Sequence, residues 1–422
     1  MPDIKKMTIK EIPDNLFDDG NYSELFPGFG SVTAAYGYVK GSPALLYALD
    51  GVMDGSASEK ICLALDFAAK SGMPIVAVYS SNGAYIDDGA AVFNHYGKIL
   101  KKVSENSGVI PQIALTDGVC SGSLAVIAAS ADIFIATKSA EIYTAQCNDS
   151  NVTSGAVAIL TEDMSESLKI TASLLEKLPL NNLSPLPEFE AEAPENIPSG
   201  DTAAVIAGLA EKESLVSLYE SSGKASITAF GTVNGALCGF VGMGKDNALL
   251  ECEDCSKIAK FVNICDAYSI PLVTVIDTDG FSKSACLKAA VKLSAAYSNA
   301  STRKVTLITG RVYGTALSVF VSANADAVYA YENAVIAPLS PLTAVEFLHH
   351  DKLKGADDLT AKRNELAAEY KSEMSAANAS KSGIITALVT PETAYKTIAS
   401  ALDITLGKRV PHGFDRKHNA QG

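Results

Sequence analysis

The chain of 422 residues is long enough for two or three domains, each with its own hydrophobic core. Apolar residues make up 48% of it and charged residues 19%, which is typical of a globular protein. The formal net charge of −14 argues against nucleic acid or an anionic membrane surface as the main partner. There is no signal-peptide pattern and no apolar run of the roughly 18–20 residues that cross a bilayer, so a cytoplasmic location is expected.

An internal repeat is the most informative feature of the sequence. Residues that recur at a constant displacement along a chain are typical of a duplicated domain. We therefore predict two similar domains, at residues 1–185 and 216–422, joined by a connecting segment at 186–215 that starts rich in proline and glutamate. Four positions recur 197 residues later: Lys60 as Lys257, Ile61 as Ile258, Pro74 as Pro271, and Gly83 as Gly280.

The same order of elements is predicted for both copies. A β-hairpin comes first, at residues 32–50 and 227–243, and a helix follows in which apolar residues recur at i, i+3, i+4 and i+7. Buried strands then alternate with helices, which predicts α/β domains with largely parallel sheets. Residues 354–380, rich in Ala, Glu and Lys, predict a long exposed helix. The predicted strands are 74–78, 111–115 and 132–136 in the first copy and 271–276, 304–308 and 326–330 in the second.

Two glycine turns are the best candidates for a functional site. In each copy a buried strand ends, a glycine permits a tight turn, and a helix starts at once, at Gly122-Ser123-Leu124 and at Gly314-Thr315-Ala316. The first N–H groups of a helix have no internal partner and lie at the positive end of its dipole. Two such groups directed at one point form an oxyanion hole, which stabilises a thioester enolate without a titrating side chain. The competing interpretation is that these glycines only make compact turns.

Other candidate sites are weaker. The five histidines show neither duplicated placement nor metal-ligand spacing, so no metal site is predicted. Cys252-Glu-Asp-Cys255 is a lone Cys-x-x-Cys motif, which favours two free thiols over a metal centre. Asp277 and Asp279 follow a predicted strand, where a solvated surface role is favoured over substrate binding.

Several longer stretches are specific enough to indicate a family. They are Ser107-Gly-Val-Ile-Pro-Gln112, Phe261-Val-Asn-Ile-Cys-Asp266, Ile270-Pro-Leu-Val-Thr-Val-Ile-Asp277, Gly280-Phe281, Val305-Thr-Leu-Ile-Thr-Gly-Arg-Val-Tyr-Gly314, Gly407-Lys-Arg-Val410 and Arg416-Lys-His-Asn419. With these stretches, the chain resembles the carboxyltransferase subunits of biotin-dependent acyl-CoA carboxylases and decarboxylases, within the crotonase-like superfamily. The resemblance runs from about Gly37 to the C-terminus.

The resemblance implies an α/β fold with two tandem crotonase-like domains, each a ββα-superhelix. The N-terminal half would bind the acyl-CoA and the C-terminal half the biotin of a separate carrier protein. Carboxybiotin would release CO2, and the biotin anion would remove or return the proton alpha to the thioester. Carried over by position, the acyl-CoA oxyanion hole falls on Gly122 and Ser123, and the biotin hole on Gly314 and Thr315. Further substrate-binding positions are Gly55, Ser56, Gly83, Ala84, Gly280, Phe281 and Ala316.

The family's partners also follow from the resemblance. They are an acyl-CoA, a biotinyl carrier protein, and either a biotin carboxylase or a membrane decarboxylase subunit, the last of which would place the chain at the periphery of a membrane complex. Because the family's active site forms between halves of different protomers, a homo-oligomer built from dimers is expected, commonly a hexamer. The acyl chain and the direction of the reaction stay open.

The sequence departs from the family at several of these positions. The usual Gly-Gly pairs read Gly122-Ser123 and Gly314-Thr315, and Gly-Gly-Ala-Arg reads Asn82-Gly83-Ala84-Tyr85. Two alternatives therefore stay open. One is a degenerate scaffold paralogue without catalysis. The other is a biotin-independent crotonase-like acyl-CoA enzyme, which would need an acid or base such as Glu141 or Asp87.

Overall fold

The computed structural model describes residues 7–144, 155–244, 249–282 and 286–409. The chain divides into two compact units, Met1–Pro187 and Glu188–Gly422. Each is an α/β unit, as the sequence predicts, and each described part contains one eight-stranded sheet. The predicted boundaries at 185 and 215 stay predictions, although part of the segment 186–215 forms a helix in the second unit.

The first unit begins with antiparallel pairing and continues as a parallel sheet. Its strands are β1 (Tyr22–Glu24), β2 (Thr33–Val39), β3 (Ser42–Met53), β4 (Ile75–Ala84), β5 (Gln112–Ser121), β6 (Ile133–Thr137), β7 (Glu141–Tyr143) and β8 (Ile159–Thr161). The order is β1-β2-β3-β4-β5-β6-β8, with β7 paired to the far end of β5. Strands from β3 onward pair in parallel. Its helices are α1 (Ile12–Leu16), α2 (Gly55–Ser71), α3 (Ala91–Asn106), α4 (Ser123–Ala129) and α5 (Met164–Lys177).

The second unit repeats this strand order. Its strands are β9 (Val216–Leu218), β10 (Ser226–Val233), β11 (Ala236–Met243), β12 (Leu272–Thr278), β13 (Lys304–Tyr313), β14 (Ala327–Tyr331), β15 (Val335–Ala337) and β16 (Ala387–Val389). The order is β9-β10-β11-β12-β13-β14-β16, with β15 on β13. The predicted duplication is therefore present in the topology itself.

The second unit has additional helices between its last two strands. They are α6 (Thr202–Leu209), α7 (Cys252–Ala267), α8 (Leu287–Asn299), α9 (Thr315–Phe320), α10 (Pro341–Leu348), α11 (His350–Lys354), α12 (Leu359–Glu373), α13 (Ala376–Lys381) and α14 (Pro391–Ile404). Helices α10 to α13 lie between β15 and β16. The prediction of one long exposed helix at 354–380 is wrong: α12 and α13 are separate, and Leu366 and Tyr370 are buried. Helix α6 packs Val205 and Leu209 into the core of this unit.

Both faces of the parallel sheet in the first unit are buried. On α2, Ile61, Ala64 and Leu65 keep the predicted helical spacing and pack with Tyr47 and Tyr79 in one cluster. The alternate strand residues, such as Leu46 and Val78, are equally buried but lie outside that cluster, because successive side chains of a strand point to opposite faces. The parallel strands therefore expose little beyond their ends, and any site for a ligand belongs at those ends.

Candidate functional site

The two glycine turns have the same backbone conformation. Gly122 precedes α4 with φ 60° and ψ −131°, and Gly314 precedes α9 with φ 55° and ψ −124°. A positive φ is strained for residues with a side chain, which explains glycine at both positions. Ser123 and Thr315, the first residues of their helices, are not among the described residues with positive φ. The change from Gly-Gly to Gly-Ser and Gly-Thr therefore falls where glycine is not required.

A hydrogen bond to a short neighbouring strand, β7 or β15, holds each glycine turn. The N–H of Gly122 donates to the carbonyl of Tyr143 in β7 at 2.8 Å, and the N–H of Gly314 donates to that of Ala337 in β15 at 3.1 Å. These two amides are therefore already used. Gly122 and Gly314 supply the turn, and the N–H groups that follow them are the ones left for a ligand.

The donors left over are the first amides of the helices. The N–H groups of Ser123 and Thr315 form no hydrogen bond within the described part of the chain. Such groups at the start of a helix have no intrahelical acceptor. As whole residues, Ser123 is half-buried and Thr315 is exposed. Ala316, also assigned to this region from the sequence, is buried in α9.

A second glycine position lies beside each turn. In the first unit Ser81 and Cys120 form the last pair between β4 and β5, and Gly83 and Gly122 each lie two residues beyond it. In the second unit Thr278 pairs with Val312, which places Gly280 and Gly314 in the same register. The duplicated glycines are thus neighbours at the carboxyl ends of adjacent parallel strands. Tyr313 confirms the proximity in the second unit, since a Cβ on Gly280 would meet its carbonyl oxygen at 3.7 Å.

A hydroxyl group holds each of these second glycines. The N–H of Gly83 donates to Ser81 Oγ, and the N–H of Gly280 donates to Thr278 Oγ1, both at 3.2 Å. Both hydroxyls are buried. Sequence reasoning missed these two residues, although they are separated by the same 197 positions as the glycines. The amide after Gly280, that of Phe281, forms no hydrogen bond with another described residue.

The surroundings of Phe281 differ from those of Ala84. The Phe281 ring stacks on Phe320 of α9, with ring centroids 6.4 Å apart. Arg311 lies nearby, with its Nε 3.1 Å from Asp279 Oδ1, and its main-chain N–H donates to Asp277 at 3.0 Å. The second unit therefore surrounds its turn with an aromatic pair and an ion-paired cluster.

Gly55 and Ser56 begin α2, directly after β3. Because Met53 pairs with Ala84, this helix start lies at the same edge of the sheet as the first glycine turn. The helix is capped by Asp54, whose carboxylate accepts the N–H of Ala57 at 2.7 Å; this hydrogen bond lowers the pKa of Asp54.

His95, which sequence reasoning set aside, lies beside this helix start. A Cβ on Gly55 would meet its ring at 3.2 Å. In the first unit the predicted positions Gly55, Ser56, Gly83, Ala84, Gly122 and Ser123 lie at the ends of three adjacent strands, β3, β4 and β5.

The acid–base candidates of the biotin-independent alternative are both exposed. Glu141 starts β7, opposite Val119 of β5, and Asp87 lies in a short turn after β4. Among the described residues, no group of three or more His, Cys, Asp or Glu side chains could hold a metal ion. Within the same residues, no helix combines the length and the hydropathy of a membrane span. The predicted cytoplasmic location stays a prediction.

The duplicated α/β fold, with a hairpin that leads into a parallel sheet in each unit, is that of the crotonase-like class. The chain belongs to the carboxyl transferase domain family, whose sequence model matches residues 14–148 and 146–420. This finding confirms the family that the sequence motifs indicate.

Relatives over nearly the whole length support the same assignment. The methylmalonyl-CoA decarboxylase subunit alpha of Propionigenium modestum is 29% identical, over 96% of this chain and 91% of that protein. The methylmalonyl-CoA carboxyltransferase 12S subunit of Propionibacterium freudenreichii subsp. shermanii is 28% identical, over 96% and 89%. The crystal structure of transcarboxylase 12S with hydrolysed methylmalonyl-coenzyme A bound superposes with a TM-score of 0.90 at 26% identity, covering 98% of this chain and 92% of that one.

Proposed function

We propose that this protein transfers a carboxyl group between carboxybiotin, presented by a separate carrier protein, and a small acyl-CoA. Membership of the carboxyl transferase family and relatives named for methylmalonyl-CoA support the reaction and the substrate class. The structural observation that carries the proposal is the pair of matching turns. In each, a helix-start amide with no hydrogen-bond partner among the described residues lies beside a glycine that a hydroxyl group anchors.

On the acyl-CoA side, the donor is the N–H of Ser123. A thioester enolate carries its negative charge on one oxygen, and a preorganised main-chain donor stabilises that charge without a proton transfer of its own. The Ala84 amide, at the end of β4, is the second donor that we assign. Gly122 keeps the turn in place because its own N–H is bound to Tyr143. The chain itself supplies no general base in this scheme.

On the biotin side, the corresponding donors are the N–H groups of Phe281 and Thr315. Both are unengaged within the described residues and so suit an anionic ureido oxygen. When bound, carboxybiotin supplies the carboxyl group and the base. The protein orients that group through Gly280 and Gly314, whose positive φ angles direct the following amides.

The test uses free biotin in place of the carrier. Purified protein with biotin should release CO2 from malonyl-CoA or methylmalonyl-CoA, and omission of biotin should abolish the release. No turnover across a panel of acyl-CoAs would contradict the proposal and favour the scaffold alternative. Turnover that persists without biotin and disappears in Glu141→Gln or Asp87→Asn would favour the biotin-independent enzyme. The exposed position of both side chains gives that alternative no support.

We also propose that the working unit is a homo-oligomer built from dimers, with six subunits. The similar transcarboxylase 12S is a hexamer assembly in its crystal structure. In this chain, α10 presents Leu342, Phe347 and Leu348 to solvent, with Phe347 78% exposed. An exposed apolar face of this kind is typical of a protein interface. A monomeric mass in sedimentation equilibrium at micromolar concentration would contradict the assembly.

A further inference from the structure

The second unit contains a close pair of thiols. Cys252 is the first residue of α7, and Cys286 immediately precedes α8. Their Sγ atoms lie 2.9 Å apart, although 34 residues separate them along the chain. A disulfide requires a sulfur–sulfur distance of about 2.05 Å, so bond formation needs a movement of less than about 1 Å.

The thiol in contact with Cys252 is not the other cysteine of its Cys-x-x-Cys motif. Cys252 and Cys255 form the Cys-x-x-Cys motif, yet the sulfur that contacts Cys252 belongs to Cys286. Cys255 is fully buried, and burial raises the pKa of its thiol to about 12. The thiolate is the reactive form of cysteine, so Cys255 is inert near neutral pH. Cys252 is half-buried, so a small reagent can reach it.

We propose that Cys252 and Cys286 form a reversible disulfide by exchange with a low-molecular-weight disulfide. The Cys252 thiolate attacks one sulfur of that disulfide, its S–S bond breaks, and one small thiolate leaves and takes up a proton. The Cys286 thiolate then attacks the Cys252 sulfur of the mixed disulfide and expels the second small thiolate. The two protein thiols are oxidised, and the small disulfide is reduced to two thiols.

The order of attack follows from exposure. Cys286 is only 3% exposed and cannot meet a reagent first, whereas it lies in contact with Cys252 once a mixed disulfide has formed there. The contact with Cys286 raises the pKa of Cys252, which makes the first attack faster in mildly alkaline solution than at neutral pH.

The thiol pair lies next to the candidate site of the second unit. Leu250, two residues before Cys252, accepts the N–H of Ser282 and donates its own N–H to Gly280, both at 2.9 Å. A disulfide would add a covalent link beside these hydrogen bonds and restrain the segment that carries Phe281. By the displacement of the repeat, Cys252 corresponds to Gly55, so the first unit has no sulfur at this position. An effect of oxidation on turnover rests on the proposed function, whereas disulfide formation does not.

The experiment follows disulfide chemistry directly. The reduced full-length protein is incubated with oxidised glutathione in mildly alkaline buffer and analysed by intact mass and non-reducing peptide mapping. The map should contain a Cys252–Cys286 linked peptide that dithiothreitol cleaves, and neither of these two cysteines should carry glutathione. Cys286→Ser should instead keep one glutathione on Cys252. Cys62→Ser, which removes a half-buried thiol of the first unit, is the matched control and should form the same linked peptide as the wild type.

The wild-type map decides the outcome even if a variant fails to fold. A stable glutathione adduct on wild-type Cys252 would overturn the proposal, because it would show that Cys286 does not close the bond. A linked peptide that joins Cys252 to Cys255, or eight thiols that survive treatment, would overturn it as well.

Discussion

Ser123→Pro removes one main-chain N–H from the candidate acyl-CoA site with little change elsewhere. Ser123 is the first residue of α4, where proline is favoured because its fixed φ suits the helix and the missing N–H has no intrahelical acceptor. The Ser123 N–H forms no hydrogen bond in the described structure, so the fold loses none. The free energy of unfolding should therefore stay within about 1 kcal/mol of the wild type.

The expected effect on turnover is much larger than the effect on stability. Removal of one oxyanion-hole donor typically lowers kcat by about 10²- to 10³-fold, or about 2.7–4 kcal/mol in activation free energy. The assay is biotin-dependent CO2 release, with kcat and KM measured separately and the folded state checked by thermal unfolding. The loss should appear mainly in kcat, because the enolate charge develops only in the transition state.

Ser123→Ala is the matched control, since it removes the hydroxyl and keeps the amide. It should retain nearly wild-type turnover. If Ser123→Pro and Ser123→Ala have the same kcat in folded protein, the Ser123 amide is not a donor to the transition state, and the reasoning from the turn geometry is refuted.

Three further predictions concern stability and are measured by chemical or thermal unfolding. Gly314→Ala should destabilise more than Gly122→Ala. Both substitutions strain a backbone with positive φ by about 1–3 kcal/mol, but among the described residues a carbonyl oxygen lies near the new Cβ only at Gly314, at 3.3 Å. Equal losses would contradict this. Thr278→Val should lower the free energy of unfolding by about 1–3 kcal/mol, because the N–H of Gly280 loses its acceptor. Thr278→Ser keeps a hydroxyl and should be tolerated. A valine variant as stable as the wild type would show that the hydroxyl is not needed. Burial lowers the pKa of Lys304 below its ordinary value of 10.5, so the unfolded chain binds this proton more tightly than the folded protein does. The free energy of unfolding of the wild type, relative to that of Lys304→Met, should therefore rise with pH between the folded pKa and 10.5. A difference between the two proteins that does not change with pH would contradict the shift.

Local sequence patterns were sufficient for the repeated framework. Both hairpins, the helices that contain Ile61 and Ile258, and the buried strands that follow these helices were predicted from apolar periodicity, and each appears in the structure. The glycine turns followed from the same logic, because a buried strand that ends in glycine before small residues has few other conformations.

Long-range pairing accounts for what the sequence did not predict. Residues 354–380 have strong helical propensity, yet the chain breaks between α12 and α13. There the carbonyl of Met374 accepts the N–H of Ile336 at 2.9 Å, and Ser375 pairs with Val335 of β15. A strand contact made by distant residues overrides local propensity here.

The identity of the free amides was likewise hidden from the sequence. Sequence reasoning assigned Gly122 and Ser123 to the hole together, because adjacent residues look equivalent in a motif. In the structure β7 engages the first amide and leaves the second. That distinction depends on a strand that returns about twenty residues later, and no local pattern reports it.

The hydroxyl groups beside the second glycines have a consequence for comparing the two halves. Ser81 and Thr278 differ in residue type, yet each places an oxygen 3.2 Å from the nitrogen of the glycine two positions on. The two halves share the position of one hydroxyl oxygen. A count of identical residues scores Ser81 and Thr278 as a mismatch. Percent identity between the two halves therefore understates their structural similarity. Exchanging the two hydroxyl residues between the halves would reveal this similarity, which a sequence alignment does not.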